Sequence, residues 1–389
     1  LAREPVSARE GARLYVLGRI LHRYRWAVAA AAILILALGA GIAATTWQAR
    51  RAAQQAARAE AEKNFLLGVF KASDPRIASD KPRGQITARE LLDVSAARIE
   101  QEFASQPDLR IEMLGEIAAI LRELGETDRY ATLHARQMQL ARARYGPDSE
   151  IAIDGLLQDA SDAEKRLDFP AAIKPLDAAD AAIRRAGLDA TARRAQWWLL
   201  RGEALIDRDD AQSEREDALR KAVDMYARTA PGDPAYVTAL TNYGNVFATR
   251  MQHARAIALY RRALDVDARL ANRNDAEMQT IYGNLGKSYM LEGDFANAQP
   301  AFARVTEIAR RTYGESNPNY WSPAADEART ACLAGDRERA LKLFAALTAL
   351  LPPASDYDND AAEVRENLGG GLAADGQPLQ AIALLESSL

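Results

Sequence analysis

The stretch "TNYGNVFATRMQHARAIALYRRAL" at 241–264 is followed, 42 residues on, by "GNLGKSYMLEGDFANAQPAFARVT" at 283–306. Tyr243-Gly244, Phe247, Ala256, Tyr260 and Ala263 of the first copy match Leu285-Gly286, Tyr289, Ala298, Phe302 and Val305 of the second. The frame continues through "ACLAGDRERALKLFAAL" at 331–347, with Gly335, Ala340, Phe344 and Leu347, and into Leu368-Gly369, Leu372, Gly376, Ala381 and Leu385. Self-similarity at such a period marks a stacked array in which each copy is one supersecondary unit. The apolar spacing is helical, and each copy reads as a helical hairpin. A small Ala (256, 298, 340, 381) marks the point where two helices cross closely, and the large residue four positions later fills the space toward the next copy.

Weaker copies precede these at about 111–142, with Gly125 at the turn, at 153–185, with Phe169 and Ala172, and at 195–228. The last of these has Trp198, Gly202, Ala218 and Ala222, with about four extra residues at its turn. The pattern resembles the tetratricopeptide repeat in its longer 42-residue variety, as in kinesin light chain, and "RYGPDS" at 144–149 and "TYGESNPNY" at 312–320 resemble that family's inter-repeat turn. The expected fold is all-α: a solenoid over 87–389 of about seven hairpins, the last one truncated.

"RWAVAAAAILILALGAGIAATTWQARR" at 25–51 is different in kind. From Trp26 to Trp47 there are 22 residues without a charge; as a helix they would span roughly 33 Å, the hydrocarbon thickness of a bilayer. Trp26 and Trp47 stand where aromatic rings favour the membrane interface, with Arg23 and Arg25 on one side and Arg50 and Arg51 on the other. A signal peptide has a shorter apolar core, and a buried core helix is rarely apolar all round for this length. The expectation is one transmembrane helix at 26–47. Gly39 and Ala43, or Ala37 and Gly41, make small-xxx-small pairs through which two copies could approach as a homodimer. Five basic residues before the span against four after it weakly favour a cytoplasmic N-terminus and extracytoplasmic repeats. "AAQQAARAEAEKNFLLGVF" continues as a helical stalk over 48–73, with an apolar patch of Phe65, Leu66, Val69 and Phe70. A Pro/Gly/Ser/Asp linker follows over 74–86, and Thr87 with Glu90 has capping-box spacing for a new helix.

The chain carries 50 basic and 54 acidic side chains. Its first 25 residues hold six Arg and two Glu, so the arm at 1–25 is +4 and the remainder is −8. A basic arm beside a span suits anionic headgroups, and an acidic remainder without a basic stripe argues against nucleic acid. Cys332 is the sole cysteine, so no intrachain disulfide forms, and its apolar helical setting reads as core. His22, His134 and His253 have no metal-ligand spacing. "DRDD" at 207–210 and "DYDND" at 356–360 lack the Gly and closing Glu of a calcium loop. No catalytic residue, metal ligand or cofactor site is expected in this chain.

Read in order, "LAREPVSAR" at 1–9, "HRYRWAVAAAA" at 22–32, "WQARRAAQQAARAEAEKNFLLGVFKASDP" at 47–75, "TARELLDVSAARIEQEF" at 87–103 and the repeats resemble the C-terminal portion of bacterial serine/threonine protein kinases that carry one membrane span and a tetratricopeptide sensor region. The resemblance implies a single-pass protein of the bacterial inner membrane, with cytoplasmic N-terminus and periplasmic repeats, that couples binding of a protein or peptide partner to signalling. The kinase motifs themselves are missing: there is no H-R-D-L-x-x-x-N, no D-F-G and no Gly-rich phosphate loop. Gly369-Gly370-Gly371 has neither a preceding strand nor a Lys. This chain is therefore not expected to be an enzyme, and ATP and Mg belong only to a kinase domain expected before Leu1. The alternative is a free-standing membrane-tethered scaffold with no kinase attached.

The functional surface expected of the array is its inner groove, lined by the first helix of each hairpin. Asn245 and Asn284 fall where two asparagines of the peptide-carboxylate clamp of some tetratricopeptide proteins stand, but Thr241, Ser322 and Asp326 take the places of its basic residues. A terminal carboxylate is therefore not the expected ligand. Asn245, Asn284, Lys287 and Tyr289 are the candidate peptide-groove residues, with Tyr289 equally at a packing position.

Overall fold

The structure, a computed structural model, describes residues 22–26, 29, 33–34, 36–42, 44–49, 51, 88–271, 274–351, 359–374 and 376. Among them the regular structure is helical throughout, with no strand. The helices are α1 (Ala88–Glu102), α2 (Pro107–Glu123), α3 (Thr127–Tyr145), α4 (Glu150–Lys165), α5 (Phe169–Arg185), α6 (Ala192–Ala204) and α7 (Gln212–Thr229). They continue as α8 (Pro234–Thr249), α9 (His253–Asp267), α10 (Asp275–Leu291), α11 (Phe295–Tyr313), α12 (Pro318–Leu333), α13 (Arg337–Leu350) and α14 (Asn359–Ala374). The chain divides into two compact units, 1–137 and 138–389, with the boundary inside α3.

In the first unit, α1 is joined by charge to α3 and α2: Arg136 of α3 donates to Glu100 at 2.7 Å and Arg110 of α2 lies 3.4 Å from the same carboxylate. The Arg136 hydrogen bond holds Glu100 below the usual carboxylate range. The apolar segment also belongs to this unit. Its described residues between 22 and 51 are helical apart from a turn at Tyr24, and all of them are exposed, Trp26 at 78% and Leu36 at 72%. Positions 27, 28, 30–32, 35 and 43 lie outside the described residues, and no helix among the described residues is long and apolar enough to cross a membrane. The predicted stalk beyond Arg51 and the linker at 74–86 also fall outside them.

In the second unit the predicted hairpins are present as α4–α5, α6–α7, α8–α9, α10–α11 and α12–α13, with α14 opening the next. The close crossing is made by glycine. A Cβ on Gly244 would lie 2.5 Å from the Tyr260 ring, and one on Gly286 would lie 2.9 Å from the Phe302 ring. Neither distance is tolerable, so the ring of the second helix rests on bare backbone of the first. Gly202 faces Leu219 in the same way. The α6–α7 turn holds seven residues, 205–211, against three in the turns after α4, α8, α10 and α12, the four extra that the sequence predicts. A short 3₁₀ helix, Asp209–Ala211, lies within it, and α6 ends early, so Gly202 and Leu219 are 17 residues apart where Gly244–Tyr260 and Gly286–Phe302 are 16. In this frame Arg215 occupies the place of Ala256 and Ala298.

The turns inside the hairpins share one construction. After α10, Gly293 N–H donates to Met290 C=O and Asp294 N–H donates to Tyr289 C=O; after α12, Gly335 and Asp336 repeat the pair onto Cys332 and Ala331. This double bond closes a helix through a residue in the left-handed region. The same aspartate then caps the next helix, with Asp294 accepting from Asn297 N–H and Asp336 from Arg339 N–H. Two turns break the glycine rule: Leu167 and Met251 hold the left-handed position, each at φ +58°, with the same pair of bonds around them. Both side chains are exposed.

First helices of successive hairpins touch at a constant offset. Arg193 bonds Asp154, Asn242 bonds Glu203, Thr238 bonds Glu277 and Asn284 bonds Asn245, every pair 39 residues apart. These contacts make α4, α6, α8 and α10 one continuous wall.

Replacing Leu167 or Met251 by Gly removes the left-handed strain while adding some unfolded-state entropy; each substitution is expected to raise stability by about 0.5–1 kcal/mol, read as a higher urea midpoint at unchanged slope. His253 is buried with both ring nitrogens unpartnered, at the place where two other copies have Phe169 and Phe295. His253→Phe is expected to stabilise by about 1 kcal/mol in the same titration.

Candidate functional site

The wall formed by the first helices opens into a groove between α10 and α12 with a volume of about 420 Å³. Thr280, Asn284 and Lys287 come from one side, Ser322 and Asp326 from the other, with Phe302 and Val305 of α11 in the lining. A second cavity of about 410 Å³ shares Gln279, Tyr313, Ser322 and Pro323 with it and reaches Val364 of α14. Gly283 forms part of the groove lining, and a Cβ there would meet nothing within 4 Å. This glycine leaves space open, unlike Gly244 and Gly286, which admit a ring.

The groove's polar groups are fixed from behind. Tyr260 donates to Asn245 Oδ1 at 2.8 Å, and Asn284 Nδ2 donates to the same oxygen at 3.0 Å. Burial pushes the Tyr260 phenol up to about 12, so it remains a donor at any ordinary pH. With its oxygen doubly engaged, the Asn245 amide has one orientation. Its Nδ2 and the Asn284 Oδ1 take no part in these bonds, which leaves one donor and one acceptor side by side, the complement of a single peptide group. Further along the wall Thr238 donates to Glu277 at 2.8 Å; burial nevertheless raises the Glu277 carboxyl above its ordinary value, and Asp267 adds to this.

Of the four predicted groove residues, Asn245 and Asn284 are brought into contact, and Asn284 and Lys287 line the groove. Tyr289 packs against the apolar cluster around Leu240, Tyr260 and Leu285 instead. Thr241 turns inward and donates to Val237 C=O. Thr280, Gly283 and Tyr313 were not anticipated; Thr280 and Gly283 could have been reached from Asn284 by helical spacing, being four residues and one residue before it on α10. Lys287 and Asp326 are the charged residues of this lining, one of each sign. A groove so balanced holds polar main chain better than a terminal carboxylate. Among the described residues no group of His, Cys, Asp and Glu is arranged to hold a metal ion.

At the N-terminal segment, Arg25 lies over the Trp26 ring at 5.7 Å and Arg51 over the Trp47 ring at 5.3 Å, with Arg23 over Tyr24. Arg50 falls outside the described residues.

The tetratricopeptide repeat family matches residues 277–352, the α10–α13 stretch that forms the groove. The chain carries a tetratricopeptide repeat region. Among solved structures it is similar to a signal transduction ATPase with numerous domains that bears a tetratricopeptide repeat sensor, from Pyrococcus horikoshii, at 13% identity and TM-score 0.54, covering 77% of this chain and 46% of that one. It is also similar to BtubC from P. vanneervenii, at 16% identity and TM-score 0.43, covering 61% and 89%. A third likeness is to a putative kinesin light chain with nearly identical TPR-like repeats from Podospora anserina (16% identity, TM-score 0.42, covering 51% and 94%). No curated protein matches the sequence.

Gly283→Trp is expected to fill the groove while leaving the fold intact, because its Cβ meets no neighbour and any residue is a better helix former than Gly by about 0.5–1 kcal/mol. A Tm at or above wild type together with loss of partner capture in a pull-down is the expected pair of results; retained capture would place binding elsewhere.

Proposed function

We propose that this chain is the membrane-anchored, partner-sensing region of a bacterial serine/threonine protein kinase. The tetratricopeptide array binds a protein or peptide in the groove between α10 and α12, and the apolar segment at 26–47 holds the array at the inner membrane, with residues 1–25 cytoplasmic and the repeats periplasmic. One observation carries the reading: an apolar stretch bounded by Trp and Arg, exposed at every described position, on the same chain as a polar, open groove of repeat helices. Seven large apolar side chains held in water (Trp26, Ile33, Leu34, Leu36, Leu38, Ile42 and Trp47) are each costly by about 1–3 kcal/mol relative to an apolar environment, and a bilayer removes that cost. The sensor reading is supported by the repeat sensor of the Pyrococcus horikoshii ATPase. The kinase reading rests on the order of the juxtamembrane, span, stalk and repeat segments.

The test is in cells. The full chain is expected in the membrane fraction, to leave it only with detergent, and its repeats to be cut by protease added to spheroplasts. Recovery in the soluble fraction removes the anchor, and protected repeats reverse the orientation. An open reading frame upstream of Leu1 lacking kinase motifs would remove the kinase while leaving the anchored array.

A further inference from the structure

Upstream of the groove, the wall of first helices contains a pair of carboxyls that ordinary pairing rules do not explain. Glu164 of α4 and Glu203 of α6 are 39 residues apart and face each other at hydrogen-bonding range, on the same ladder that joins Asn245 to Asn284. Glu203 accepts from Asn242 of α8 at 2.6 Å. Glu164 Oε1 is buried with no donor. Two half-buried carboxylates in contact repel, and neither supplies a hydrogen to the other, so the arrangement closes only with a proton between them.

The surrounding charges do not remove the need. Arg215 of α7 is the cation that bears on Glu203, but it forms no ion pair within reach of it and its own Nε is buried without a partner. Asp207 draws on Arg215 as well, and Arg250 at the end of α8 repels it. Tyr226 of α7, itself buried, senses the Glu203 charge. No titratable group of α5 bears on either carboxyl. Arg215 stands here because it replaces the small residue of the other hairpins, which brings one positive charge against two acids.

We propose that Glu164 and Glu203 share a single proton and form a pH-dependent fastener between α4 and α6, which tightens the inner wall of the array in acid and loosens it in base. Asn242 extends the fastener to α8, the helix that carries Asn245, so the same proton bears on the alignment of the groove's rear support. Burial first, and then the facing Glu203 charge, raise Glu164 from its ordinary 4.5 to about 10. A carboxyl raised on folding contributes stability that is complete below its unfolded value and is lost as pH rises through its folded value; the window is therefore pH 4.5 to about 10.

The experiment compares the full chain with Glu164→Gln, which keeps the shape and supplies a fixed hydrogen to Glu203. Over pH 6 to 8 the unfolding constant of the wild-type chain should rise relative to the variant by up to about tenfold per pH unit, the slope of one proton. At neutral pH the wild type should also show an infrared carboxylic-acid band that the variant lacks. Glu203→Gln should flatten the same slope and serves if the first variant does not fold. Parallel pH profiles for wild type and both variants, or no carboxylic-acid band at neutral pH, would overturn the proposal.

Discussion

The Tyr260 ring lying on the bare backbone of Gly244 is the contact on which the second unit depends. It sets how closely the two helices of a hairpin approach, and Gly286 with Phe302 and Gly202 with Leu219 reproduce it. A hairpin so closed still leaves one apolar face bare, which only the next hairpin covers. The core accordingly crosses hairpin boundaries: one cluster runs from Ala195 to Leu285 across the α6 to α10 helices, with others from Ile153 to Ala204 and from Ala309 to Leu368 on either side. The cost of a poor fit at one crossing falls on its neighbours, and the four extra residues of the α6–α7 turn are taken up by a 3₁₀ turn and an early end to α6 instead of in the stacking.

The repeat was legible because its markers are chemical necessities: a glycine where a ring must rest, alanine where helices cross, glycine where φ is positive. Legibility fails where a different residue meets the same need. Leu167 and Met251 occupy left-handed positions that backbone hydrogen bonds enforce, and nothing in their side chains announces it. Arg215 was passed over in favour of Ala218 because spacing looks for a small residue at the crossing, whereas the packing of Gly202 on Leu219 shows which residue stands there. Asn245 and Asn284, singled out from position on the first helices, touch each other, and Tyr289, which the sequence placed equally at a packing position, packs on the apolar cluster. Glu164 and Glu203 carry no signal in the sequence, since a separation of 39 residues has no meaning until the hairpins are stacked.

Polarity is distributed unevenly along the inner wall. Toward α4 and α6 it is acidic and partly starved of donors; toward α8 and α10 it is amide and hydroxyl, with Thr238, Asn242, Asn245, Thr280 and Asn284 on successive turns. Exposed ion pairs also join segments near in space, as where Arg185 meets Asp148 and Arg311 meets Asp275. Such exposed pairs add little stability, whereas the amide pairs, held in one orientation, define what the wall can recognise.

The first helices recur every 42 residues yet touch at 39. Each step from one helix to the next therefore moves the point of contact three residues toward the N-terminal end, about 4.5 Å along the axis. A chain following the Asn245–Asn284 line must cross the helices on a slant of fixed hand, entering near the end of one and leaving near the start of another. Since α8 has 16 residues, about 24 Å of helix, roughly five helices exhaust the track. The length of ligand that can be read in a straight run is thus bounded by this slip, whatever number of hairpins the array contains, and a ligand laid in the reverse direction meets its amides in a different sequence.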